Sequence, residues 1–134
     1  MNKQITEDFV SYEIAKLLKE KGFDEICSYE WGVPDIDKGY VLQKWVINNG
    51  QIRNSDLIDG AYAAPSQSLA LKWLREVYNI FIEINVSIDL NGAYHYAYSI
   101  LDKECKYIKR FVGYYSTHKL CVEAALDYVL KNLI

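Results

Sequence analysis

The segment from Ile80 to Leu101 constrains this chain more than any other, because it reads as a β-hairpin residue by residue. Ile80, Ile82, Ile84, Val86, Ile88 and Leu90 alternate with Phe81, Glu83, Asn85, Ser87 and Asp89, which are polar in all but the first. A period of two is the pattern of a strand with one buried and one wet face. Asn91-Gly92 follows, a strong hairpin-turn signal, and the chain returns through Ala93-Tyr94-His95-Tyr96-Ala97-Tyr98-Ser99-Ile100-Leu101.

The turn has two readings, and they place the tyrosines on opposite faces. With a loop of Asn91-Gly92 alone, Leu90 faces Ala93, and Tyr94, Tyr96 and Tyr98 join Asp89, Ser87 and Asn85 as an exposed aromatic stripe. With Leu90-Asn91-Gly92 as the loop and Gly92 in a left-handed bulge position, the register slips by one and the tyrosines join the isoleucines. The longer loop is favoured. Asp suits its first position and Gly its fourth, and Tyr94, Tyr96, Tyr98 and Ile100 form the more apolar face of the return strand.

At 134 residues, with 51% hydrophobic composition, three Trp and twelve Tyr, the chain supports one packed globular domain over 1–134 without staples. No apolar run approaches the length of a membrane span. The N-terminus leads into a charged helix and not an apolar signal core, so a cytoplasmic protein is expected. Cys27, Cys105 and Cys121 are odd in number and widely spaced, which fits reduced thiols. A net charge of −3 gives no general drive toward nucleic acid or anionic membranes.

Around the hairpin the pattern predicts helices and further strands. A first helix is expected from a Thr6 cap, with Ile5 stapled onto Val10, apolar residues Phe9 to Leu18 inward, and Gly22 as terminator. Asp24 to Lys38 is irregular and acidic, and Pro34 argues against a central strand there. Tyr40 to Ile47 reads as a strand and Gln51 to Ala64 as loop or weak strand. Pro65 opens a second helix with Leu69, Ala70, Trp73, Leu74 and Val77 inward, closed by Asn79. Tyr107 to Tyr114 reads as a strand, and Thr117 caps a final helix. The class is therefore α+β: an antiparallel β-meander of three to five strands with helices packed mainly on one face.

The stretches Phe9 to Leu18, Gly22-Phe23-Asp24-Glu25 and Ala64 to Ile80, with the closing Glu123-Ala124-Ala125-Leu126, resemble a group of small uncharacterised proteins encoded by gut bacteroidete phages, prophages and mobile elements. The resemblance runs the whole length, although Thr117-His118-Lys119-Leu120 departs from the acidic helix opening expected of the group. It implies a genomic setting, in the cytoplasm of a host bacterium. It carries over no activity and no catalytic residues.

Candidate sites divide by chemistry. Asp35 and Asp37 form an acidic loop that could ligate a metal, but a calcium loop of the EF-hand kind would need an acid or amide at Gly39, Gly at Tyr40 and Glu at Val46. His95 and His118 have no paired His or Cys spacing for zinc. There is no nucleophile motif and no glycine-rich phosphate loop, so no cofactor is implied. Lys106, Lys109, Arg110 and Tyr114 interleave charge with aromatics as a single-strand nucleic-acid surface does, against an acidic chain. Trp31, Trp45, Tyr94, His95, Tyr96 and Tyr98 are the candidates for a recognition surface. The expectation is a non-enzymatic accessory protein that binds a host protein or small ligand, as a symmetric homodimer. The alternatives are an enzyme on a small or nucleotide substrate, using Asp35, Asp37 and His95, and a nucleic-acid module.

Overall fold

A computed structural model describes residues 4–34, 36–37 and 39–134. The chain is α+β and divides into two compact units, Met1–Ser68 and Leu69–Ile134, with a three-stranded antiparallel sheet in each. Among the described residues no helix is long and apolar enough to cross a membrane.

In the first unit, α1 spans Tyr12–Glu20 and starts later than its sequence suggests. Ser11, and not Thr6, is the cap, accepting a hydrogen bond from Ile14 N. The reason is tertiary. Phe9 bridges to Ser66, and Val10 N donates to Pro65 O at 3.1 Å, so the backbone before Ser11 is held extended. Ile5 is correspondingly exposed and staples nothing. The far end does follow the sequence: Gly22 takes a φ of 91° and Phe23 N returns to Leu18 O at 2.9 Å.

Strands β1 (Tyr29–Trp31), β2 (Leu42–Lys44) and β3 (Tyr62–Ala63) form the first sheet in the order β2-β1-β3. The central strand thus lies in the acidic stretch where none was expected. Pro34 does not block it, because β1 ends three residues earlier and both its edges are paired. One face of the sheet is aromatic. Tyr12 of α1 stacks on Tyr40 at 3.6 Å and meets Trp31 and Tyr62 edge-on, while Phe9 packs on Tyr29. Asn54, buried in a single turn of 3-10 helix (Asn54–Asp56), donates to Phe23 O and accepts from Ala63 N, both at 2.8 Å.

In the second unit, α2 (Gln67–Tyr78) leads into a meander of β4 (Phe81–Ile88), β5 (Tyr94–Leu101) and β6 (Tyr107–Tyr115), and α3 (His118–Asn132) contacts all three strands. Ala70, Trp73 and Leu74 of α2 are buried, but Val77 is 53% exposed. Residues 75–79 are all exposed, and Asn79, at φ 55°, ends the helix. Thr117 caps α3 through Leu120 N, and Cys121, Val122, Ala125, Leu126, Val129 and Leu130 are buried.

The hairpin adopts the three-residue loop. Ile88 pairs with Tyr94, Val86 with Tyr96 and Ile84 with Tyr98, and Asp89 N donates to Ala93 O. Asp89 Oδ1 accepts from Asn91 N and Ala93 N, while Gly92 takes φ 82°. The tyrosines therefore share a face with the isoleucines, yet burial fades along it. Tyr98 is 4% exposed, Tyr96 half-buried and Tyr94 61% exposed, and Val86 and Ile88 are exposed as well. The outer half of the hairpin reaches past its cover.

Candidate functional site

The sequence-derived candidates scatter over the fold. Trp31 lies on the aromatic face of the first sheet, where its Nε1–H donates to Val10 O at 3.0 Å and ties the residue before Ser11 to β1. That is a structural role. His95 Nε2 donates to Asp89 Oδ2 at 2.8 Å, and its ring stacks on Tyr114 at 3.8 Å, so the imidazole buttresses the hairpin turn. The bond from His95 and those from Ala93 N and Asn91 N hold the Asp89 carboxyl below the usual carboxylate range. Tyr96 meets His118 edge-on, and Tyr98 lies in the core near Tyr115, where burial pushes its phenol pKa up.

The basic residues of β6 divide between its faces. Lys109 pairs opposite Ile100 and sits 5.3 Å over the ring of Tyr128 in α3, on the helix side. Arg110 lies over Tyr107 and Phe111, Tyr114 stacks on His95 on the far side, and Lys106 N is bound to Asp102 Oδ1 in the turn. Positive φ at Phe111 and Gly113 accompanies register shifts that break the strand into short segments. At Gly113 a Cβ would run into the Tyr115 ring. A continuous basic, aromatic stripe is not what this strand presents.

Asp35 lies outside the described residues, and Asp37 is exposed. Among the described residues, no group of three or more His, Cys, Asp or Glu side chains could hold a metal ion. His95, on β5 of the second unit, is engaged with Asp89, as described above.

Trp45 is different. In β1 and β2, Glu30 pairs with Gln43, and Trp45 N donates to Ser28 O at 2.8 Å, continuing the same ladder. Pleat alternation puts Glu30, Gln43 and Trp45 on one face and Tyr29 and Trp31 on the other. On the face of Glu30, Gln43 and Trp45, residues 56–58 and Ala61 lie beside the sheet and line a cleft of about 360 Å³. Glu30, Gln43, Trp45 and Asp56 supply its polar groups, and Val33, Leu57, Ile58 and Ala61 its apolar wall. Lys19 Nζ fastens the rim by donating to Ile58 O and Ala61 O at 3.2 and 3.0 Å.

One buried polar atom beside this cleft has no partner among the described residues. The indole Nε1 of Trp45 is buried and meets no acceptor among the described residues. The Glu30 carboxyl is half-buried, and burial raises its pKa. Leaving a buried donor without a partner costs about 1–3 kcal/mol, so native proteins rarely tolerate one. A second hollow of about 340 Å³, lined by Asn48, Asn49, Gln51 and Arg53 among others, has no such group, and Arg53 Nη1 is already bound to Asp24 O at 2.7 Å.

Glu30 and Gln43 went unnoticed in the sequence. Tyr29-Glu30-Trp31 does alternate aromatic, acid, aromatic, which is the only signal of an acid facing away from an aromatic layer, but three residues are too few for periodicity. No family model, no curated protein and no solved structure matches the chain.

Proposed function

We propose that the chain is a non-catalytic binding protein that holds a small molecule in the cleft of Glu30, Gln43 and Trp45, and that it serves as an accessory protein of a phage or mobile element in the cytoplasm of a gut bacteroidete host. The observation that carries the reading is a cleft of about 360 Å³ lined by Glu30, Gln43 and Trp45, beside a buried Trp45 indole N–H that meets no acceptor among the described residues. That volume is in the range of small-ligand sites, which combine apolar walls with a few polar groups that orient the ligand. The genomic setting rests on the resemblance described above.

The same observation supplies the test. A group that waits for a ligand is a burden on the free protein, so Trp45→Phe and Glu30→Gln should leave the melting temperature unchanged or raise it. Native mass spectrometry of the full chain, purified gently from its host, should reveal a small-molecule adduct that both variants lose. Marked destabilisation of both variants, with no adduct on the wild type, refutes the reading.

The proposal extends to a symmetric homodimer, for which the free edge of β4 and the exposed Val86 and Ile88 supply a self-complementary strip. Sedimentation velocity at high micromolar concentration should show a dimer. Monomer alone refutes this part.

A further inference from the structure

Resting on the homodimer proposed above, we infer that two copies pair β4 with β4 edge to edge, antiparallel about a two-fold axis at Ser87, to make one continuous sheet with three strands from each copy. The edge is unguarded. β4 is an outer strand of eight residues, paired to β5 without a bulge, and Phe81–Ile88 contains no Lys, Arg or Pro. Native proteins break, charge or cover an edge of this kind unless another strand pairs with it. Asp89 N donates to Ala93 O, so by alternation Ser87, Asn85 and Glu83 direct their backbone groups to β5. Ile84, Val86 and Ile88 therefore direct theirs outward. Residues 86–88 are exposed, whereas Ile82, Ile84 and Asn85 are half-buried, so the open part of the edge is its outer half.

Side-chain chemistry sets the register. With Ser87 on the axis, Val86 lies opposite the partner's Ile88, and Ile88 opposite the partner's Val86, so exposed apolar side chains cover one another. On the other face Asn85 lies opposite the partner's Asp89. Asn85 Oδ1 already accepts from Ser99 Oγ at 3.0 Å, which leaves its amide N–H groups as donors for that carboxylate. Moving the axis to Val86 sets Asp89 against the partner's Glu83, and like charges directly opposite are destabilising. Moving it to Asn85 sets Asp89 against the partner's Phe81 and draws on the half-buried inner edge. Moving it to Ile88 runs the overlap into the Leu90-Asn91-Gly92 loop. The Ser87 axis alone of these matches charge, apolar cover and exposure together. It makes the two Ser87 residues a non-hydrogen-bonded pair, with Cα atoms about 4.5 Å apart and within reach of a disulfide.

Cysteine cross-linking of the full chain tests the pairing, in a Cys105→Ser background that removes the exposed thiol. Oxidised at high micromolar concentration, Ser87→Cys should form a covalent dimer at least about tenfold faster than Asn85→Cys, because the two copies of position 85 would lie about 13 Å apart. Val86→Pro removes an outward N–H without breaking the β4–β5 ladder, and should give a monomer by sedimentation velocity with an unchanged circular dichroism spectrum. The cross-linking comparison stands even where Val86→Pro does not fold. A wild-type dimer in which Asn85→Cys cross-links as fast as Ser87→Cys overturns the register. A dimer that survives in folded Val86→Pro overturns the edge as the interface. A wild-type monomer at the same concentration overturns the pairing together with the homodimer on which it rests, and leaves the reading of the cleft untouched.

Discussion

Truncating the hairpin tyrosines one at a time should produce a steep gradient of cost along a single strand. Tyr98 and Tyr94 are chemically identical, four residues apart and on the same face of β5, yet one is 4% and the other 61% exposed. A buried aromatic side chain removes about 150–200 Å² from water, which at ~25 cal/mol per Å² corresponds to about 4–5 kcal/mol. Because unfolded chains already bury part of that area, Tyr98→Ala should cost about 3–4 kcal/mol. Tyr94 buries about two-fifths of its surface, and Tyr94→Ala should cost about 1 kcal/mol or less. Urea titration followed by far-ultraviolet circular dichroism measures both, with Tyr96→Ala falling between. Equal costs, or a larger cost at Tyr94, would refute the reasoning, because the gradient follows directly from the three-residue turn and from the burial that fades along β5.

Other outcomes follow from specific contacts. Asn54→Ala removes the acceptor of the Ala63 N–H and a donor to Phe23 O and should cost about 1–3 kcal/mol; an unchanged urea midpoint contradicts the Asn54 latch. The Cys27 thiol is pushed up to about 12 by burial and by Glu25, and that of Cys121 to about 11 by burial, whereas Cys105 is exposed. A thiol reagent at neutral pH should therefore modify one cysteine in the native protein and all three after unfolding. Tyr98 carries a raised pKa in the folded state, so its proton is lost more readily on unfolding, and stability should fall as pH rises past about 10. Tyr98→Phe should blunt that alkaline loss, and an unaltered pH profile would contradict the burial of its hydroxyl.

The second unit was legible because its signals are long and redundant. Eight-residue strands give enough alternation to show a period of two, Asp89 and Gly92 specify the turn, and Thr117 and Asn79 mark helix ends that the structure uses. The amount of cover was not legible. Val86, Ile88 and Tyr94 carry the apolar pattern of a buried face, and how far α3 extends over that face is a tertiary fact. The first unit was harder for a physical reason. Its strands are two or three residues long, and they exist because neighbours hold them, as Trp45 N and Ser28 O do at the end of the β1–β2 ladder. Thr6 and Ser11 are competing caps of similar quality, and pairing of Phe9 and Val10 with the chain at Pro65 and Ser66 decides between them. Trp45 stood out as an aromatic outside the clear core pattern, whereas Glu30 and Gln43 acquire meaning only once the sheet places them beside it.

The claim that the cleft of Glu30, Gln43 and Trp45 holds a small molecule is tested most directly by the Trp45 indole N–H resonance. In a ¹⁵N–¹H spectrum of the full chain, a library of small polar molecules should contain members that shift the Trp45 indole peak saturably. The backbone amides of Glu30 and Gln43 should move with it. The Trp31 indole, already bound to Val10 O at 3.0 Å, should stay in place. A library whose binders all act elsewhere, leaving the Trp45 peak unmoved at saturation, would contradict the account.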